Sequence, residues 1–401
     1  MRICLIVLLG LAMLVFPAFA KTTPLGSRPD WSKLDKFQET MTREEFVDLL
    51  ARIYAPGDAA VGVIAVTPTL ARIQTAPGRT PCLLRFAKSD AAAKPVPRYW
   101  CPRAAIDKVP GKPLAGVHIA IDPGHIGGKW AKMEERWFQI GDSKPVMEGD
   151  MTLRVAKLLV PRLKALGAQV SLTRSGSEPI TSRRPADLRK AAVESLREKG
   201  EKATNFAITK ESERLFYRTS EIRRRAVLVN DSLKPDLVLA LHFNAEPWGN
   251  PAKPSLVSAN HAHFLVTGGW SKKELEYEDQ RYEMLVKLLN RSHAEEVAVS
   301  RALAKSTLAA TKLPPYIYKG DTVRIAGSDY IWARNLLANR LFECPVIYAE
   351  PYVMNSREVF QRVQAGDYEG KKKVAGALRS SIYREYADAV TEGLVNYYSQ
   401  R

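Results

Sequence analysis

Two histidines and two glutamates stand where side chains could do chemistry. His125 follows a Pro-Gly pair just beyond the apolar run 117–121, on a tight turn from which an imidazole can project off a sheet edge. His242 terminates a second apolar run at 237–241, and Glu148 stands immediately before a helix that begins near Asp150. Catalytic zinc needs neutral imidazole or carboxylate ligands delivered from several elements, with a further position left open. His125, Glu148 and His242 offer such a set, all at element ends, where the sites of α/β proteins lie. Singly, each also has a bland role, since a strand-end histidine can be plain surface or core and Glu148 can simply favour a helix N-terminus. Glu350, after the apolar run 346–349, can be a salt-bridged strand-end acid or a group that faces the same edge as the two histidines.

The elements that must hold these residues follow from periodicity. Residues 117–121 read as a strand, and 151–166 place Leu153, Val155, Ala156, Leu159, Leu163 and Leu166 at helical spacing before Gly167. Further strands are expected at 168–172, 236–241, 261–266 and 346–349, with helices at 221–229 and 383–398. Strands alternating with helices predict a three-layer α/β/α domain around a mostly parallel or mixed sheet. It spans residues 111–401, with insertions at about 175–220 and 270–297. Residues 104–114, containing Pro110, Gly111 and Pro113, read as a linker behind a small α+β module at 21–110. In that module Thr42-Arg43-Glu44-Glu45 resembles a capping box, and β-prone runs at 61–66, 70–74, 82–86 and 98–101 suit a meander.

Composition narrows the setting. A chain of 401 residues, 46% hydrophobic and 26% charged, is ordinary globular protein and neither disordered nor low in complexity. Its 60 Lys and Arg against 43 Asp and Glu give a net charge of +17, which favours a polyanionic partner. Arg2, the apolar run 4–16 and Pro17-Ala18-Phe19-Ala20 read as a signal peptide, with the mature chain starting at Lys21. Export argues against nucleic acid as that partner and for an anionic envelope polymer, in the periplasm or at the cell wall. No other stretch is apolar enough to span a membrane.

Other residues are weaker candidates. Cys82 and Cys101 could pair, whereas Cys344 reads as an inert core thiol; none has metal-binding spacing. His261 and His263 share a strand face, which could be a second metal pair or a structural face. Asn244, two beyond His242, could orient a substrate or a ligand. Arg223-Arg224-Arg225 reads as a solvated helix face with one buried anchor. No Ser-x-x-Lys, Gly-x-Ser-x-Gly or phosphate-binding Gly loop occurs, and Gly124, Gly127 and Gly128 lack dinucleotide-site spacing.

Taken together, the motifs resemble a family. Ile121-Asp122-Pro123-Gly124-His125-Ile126-Gly127-Gly128, Glu148-Gly149-Asp150, Val170-Ser171-Leu172-Thr173-Arg174, Leu241-His242-Phe243-Asn244-Ala245 and Tyr348-Ala349-Glu350-Pro351-Tyr352 occur in the order seen in zinc-dependent N-acetylmuramoyl-L-alanine amidases of the bacterial cell wall. The resemblance runs from about Gly116 to the C-terminus, and Arg225 with Asn230 resembles the family's Arg and Asn helix. It implies one zinc held by His125, Glu148 and His242, with Glu350 as general base and peptidoglycan as substrate. The departures are a 23-residue step from His125 to Glu148, with Glu134 and Glu135 as rival ligands, and Tyr352 onward where many relatives carry a Gly-Phe pair after the Glu.

Two alternatives accompany this reading. One is a non-catalytic, wall-binding or regulatory member, against which the intact His125, Glu148, His242 and Glu350 argue; residues 21–110 would then be a wall-binding module or a unit that merely packs. The other, zinc-dependent polysaccharide deacetylation or another envelope amide hydrolysis, would want an Asp-His-His set in the deacetylase case. Control is a further expectation. Residues 271–290, with Glu274, Glu276, Glu278, Asp279 and Glu283, follow the 261–266 strand, where division-associated amidases carry an inhibitory helix that an activator protein displaces. The same acids could simply solvate a surface helix, and the insertion between Arg174 and Arg225 is a second lid candidate.

Overall fold

The computed structural model describes residues 21–250, 254–319 and 322–400; the signal-peptide expectation for 1–20 lies outside them. In the N-terminal region Thr42 accepts the Glu45 N–H and starts α1 (Arg43–Leu49), which a π-type turn continues over Leu50–Tyr54. An antiparallel meander follows, made of β1 (Ile64–Val66), β2 (Leu70–Ile73) and β3 (Cys82–Arg85). The 98–101 run is not a strand. Its Trp100 is instead buried against the face of the main sheet, with the Arg98 guanidinium 3.9 Å over the indole ring.

Walking on, the chain forms β4 (His118–Pro123), α2 (Glu148–Ala165) and β5 (Gln169–Leu172), then the helices α3 (Arg189–Glu198), α4 (Asn205–Arg214) and α5 (Glu221–Val227). Next come β6 (Leu237–Leu241), β7 (Ala262–Thr267), α6 (Glu278–Leu289), α7 (Ser292–Thr311), β8 (Val323–Arg324), β9 (Ile331–Arg334), β10 (Val346–Pro351) and α8 (Ile382–Tyr398). The seven strands from β4 to β10 build one mixed sheet in the order β8-β9-β7-β10-β6-β4-β5. The block β10-β6-β4-β5 is parallel, and β7 joins β10 antiparallel. Alternation along each strand sends Ile119, Ile121, Leu239, Leu241, Ile347 and Ala349 into a core with α2, α7 and α8. Ala120, Val238, Ala240, Val346 and Tyr348 face the opposite layer beneath α5 and Phe342. Both faces are covered, which is why these strands read as continuous apolar runs.

The two insertions pack at different places. Leu188, Ala192, Leu215, Phe216 and Tyr217 form a small core with Ile126, so the 175–220 insertion clamps the loop that follows His125. The 270–297 insertion turns the other way. Leu275, Met284, Leu285, Leu288 and Leu289 share a core with Leu34, Phe46, Tyr54 and Ile73 of the N-terminal region. Because β7 is antiparallel to β10, the chain leaving β7 for α6 emerges at the end of the sheet remote from Glu350. Four of the five acids named there are engaged locally. Glu274 closes a capping box on Ser271, Glu278 accepts the Trp31 indole N–H at 2.8 Å, Asp279 accepts the Thr23 N–H at 2.9 Å, and Glu283 pairs with Arg340 at 2.6 Å. The expectation of an inhibitory helix at 271–290 is therefore corrected: its buried face completes the N-terminal core and offers no carboxylate to the histidines.

Candidate metal centre

Three side chains from three elements converge at the C-terminal edge of the parallel block. His125, Glu148 and His242 each bring one donor atom to within 4.8 Å of the others. Glu148 lies between the imidazoles, with Oε2 3.1 Å from His125 Nε2 and Oε1 3.1 Å from His242 Nδ1. Burial alone would raise its carboxyl, yet the two histidines hold it well below the usual carboxylate range. Burial works against a charge on His125 too, but Glu148 and Glu134 outweigh it and lift that imidazole to about 9.

The sequence makes this convergence possible locally. Gly124 is crowded by His242, since a Cβ there would lie 2.4 Å from His242 Cε1. Gly149 is crowded in the same way, a Cβ there falling 2.4 Å from Gly127 N, so the segments that carry His125 and Glu148 touch through backbone. His125 itself sits at φ +61°, a left-handed conformation that a side chain other than Gly adopts only when its surroundings impose it. Arg225 imposes it. This arginine is buried, donates to the His125 carbonyl at 2.8 Å and the Pro123 carbonyl at 3.0 Å, and pairs with Asp122 at 2.9 Å and Glu221 at 3.0 Å. Arg174, also buried, bridges the loops from the other side by donating to Pro123 O at 2.9 Å, Gly124 O at 3.1 Å and Gly149 O at 2.7 Å.

A family model described as N-acetylmuramoyl-L-alanine amidase matches residues 119–384, about two thirds of the chain. The chain belongs to this amidase family. No curated protein matches it. Among solved structures it is similar to the N-acetylmuramyl-L-alanine amidase Ami1 from Mycobacterium smegmatis, with 15% identity, 72% of this chain and 99% of that one covered, and a TM-score of 0.40. It is also similar to the CwlD amidase from Clostridioides difficile, solved in complex with the GerS lipoprotein, with 13% identity, 71% and 100% coverage and a TM-score of 0.39. A third is amidase AmiC2 of Nostoc punctiforme, with 16% identity, 72% and 99% coverage and a TM-score of 0.36.

Within this amidase chain the rival acid Glu134 has a different task from Glu148. It accepts the Ile126 N–H at 2.9 Å and the Gly127 N–H at 2.9 Å and lies 3.6 Å from His125 Nδ1, so it steadies the loop and the ring behind the cluster. Tyr348 stacks on His242 at 4.9 Å and 10°, which fixes the second ring. Glu350 is the penultimate residue of β10, its side chain 17% exposed, and Oε2 lies 3.1 Å from His263 Nε2. Burial would raise this carboxyl; His263 beside it holds it below the usual range.

The remaining candidates separate. His261 pairs with Glu246 at 2.8 Å while His263 pairs with Glu350, so the two histidines turn to different carboxylates; among the described residues His125, Glu148 and His242 are the only group of three or more such side chains close enough to hold one ion. Asn244 turns its side-chain oxygen onto the Ala245 N–H, and its backbone pairs with Tyr352 and Met354 beside the cluster. Cys82, Cys101 and Cys344 are all free thiols, so the pairing of Cys82 with Cys101 does not occur. Cys82 sits in β3, whereas the backbone of Cys101 is held by Asp236 next to β6. Two contacts escaped sequence reasoning. Arg136, within the long His125-to-Glu148 step, places Nε 3.2 Å from Glu148 Oε2, and His263 reaches Glu350 only through strand pairing.

Proposed function

We propose that this chain is an exported, zinc-dependent peptidoglycan amidase that hydrolyses the amide bond between N-acetylmuramic acid and L-alanine. The observation carrying this reading is the convergence of His125, Glu148 and His242 at the sheet edge where Glu350 also ends, in a chain of the amidase family. The donor set fits zinc: two imidazoles and one carboxylate suit that ion and leave a position for substrate or water. The missing side chain at Gly124 lets the His242 ring approach the loop that carries His125. The net charge of +17 suits an anionic envelope polymer.

His125, Glu148 and His242 would hold the ion, with Glu134 and Tyr348 orienting the imidazoles. Bound zinc supplies a Lewis acid that acidifies water and polarises the amide carbonyl. Glu350 would accept the proton that water loses as its oxygen bonds to the carbonyl carbon. It would return that proton to the alanine nitrogen as the C–N bond breaks, giving a muramic acid carboxylate and a stem peptide with a free amine. The assay is muropeptide digestion by the mature chain, 21–401, with products weighed by mass spectrometry. Release of intact stem peptide that stops on chelation and returns with zinc is the expected result. A folded, zinc-loaded chain that binds but never cleaves would favour a wall-binding role.

A further inference from the structure

We propose that His263 is the positioning residue for Glu350: its imidazole fixes the carboxylate through Oε2 and leaves Oε1 as the oxygen that moves the proton. This rests on the amidase reading above and deepens it. Glu350 and His263 are direct partners across the antiparallel β10 and β7 ladder, so their backbones hold the two side chains on one face of the sheet. His263 is fully buried, and its Nε2 lies 3.1 Å from Glu350 Oε2 and 2.9 Å from the Tyr318 hydroxyl. Carboxylate and phenol meet at this one nitrogen. Tyr316 packs against it at 5.2 Å between ring centroids, and Tyr318 meets Tyr316 edge-on at 4.7 Å.

His263 Nε2 thus reaches Glu350 Oε2 from a ring that burial and its aromatic neighbours hold in place, which orients the carboxylate. Orientation matters because the last torsion of a glutamate is broad, while a base must lie within hydrogen-bond reach of the proton it takes.

The test measures kcat, KM, zinc content and thermal unfolding for His263→Leu, His263→Asn and His263→Gln in the mature chain, alone and combined with Glu350→Gln. Leu and Asn should lower kcat about 10- to 100-fold, the worth of one hydrogen bond to a charged group, with KM and zinc unchanged. Gln, whose longer arm carries an N–H toward the same oxygen, should recover most of the loss. In the Glu350→Gln background no His263 substitution should lower kcat further. Parental kcat in a folded His263→Leu chain, or losses that multiply in that background, would overturn the proposal. Should the Leu variant not fold, equal kcat for Asn and Gln overturns it. Full activity of Glu350→Gln would instead remove the base itself, whereas an inactive Glu350→Gln beside a fully active His263→Leu removes the positioning role alone.

Discussion

Arg225→Met tests whether the metal centre depends on a guanidinium that touches no ligand side chain. Arg225 is 3% exposed and donates to Asp122, Glu221 and the carbonyls of Pro123 and His125. Methionine fills similar space and removes every donor. Breaking a buried ion pair from one side costs roughly 3–5 kcal/mol, because the partner is left charged and dry. Here each carboxylate keeps one other donor, Thr173 for Asp122 and the Thr181 N–H for Glu221, so the expected loss lies near the lower bound, about 3 kcal/mol. The left-handed backbone of His125 also loses its tether, and zinc affinity should fall about 10- to 100-fold. Urea unfolding of the metal-free chain gives the first quantity and a zinc titration the second. Arg225→Lys keeps the charge without the fan of donors, so it should recover stability more than affinity. A stability change under about 1 kcal/mol with unchanged zinc affinity would refute the reasoning.

Three further outcomes are expected. Since His125 stands at about 9 in the metal-free chain and must be neutral to ligate, zinc affinity should climb about tenfold per pH unit and level off near that value; a flat profile between pH 6 and 8 would contradict it. Gly124→Ala should displace His242 and abolish stoichiometric zinc while leaving the fold intact, read by metal analysis and circular dichroism; full zinc content would show that the loop can give way. Glu350→Gln should lower kcat by about 10² to 10⁴ with zinc retained, and near-parental turnover would exclude it as the base.

What the chain's periodicity made legible was the frame. The apolar runs that lead to His125 and His242 pair in parallel, and the helical spacing from Leu153 to Leu163 packs α2 beneath them, so the three candidate ligands meet. The helix starts earlier than its apolar pattern, at Glu148 itself, and Met147 before it makes no side-chain cap that would have marked the start in the sequence. Strand order is where the reading stopped. Nothing in the alternation of 261–266 says that it runs antiparallel beside 346–351, yet that pairing puts His263 against Glu350 and sends α6 to the far end of the sheet. Arg225 was visible as an anchor within an arginine run, but which carbonyls it holds depends on the left-handed turn at His125.

The central claim is most directly tested by digesting purified muropeptides with the zinc-loaded mature chain in water enriched in oxygen-18 and locating the label by mass spectrometry. Amide hydrolysis at the muramic acid predicts one heavy oxygen in the lactyl carboxylate of the glycan and an unlabelled stem peptide that begins with a free alanine amine. Label in a peptide carboxylate or at a sugar carbon would contradict the account.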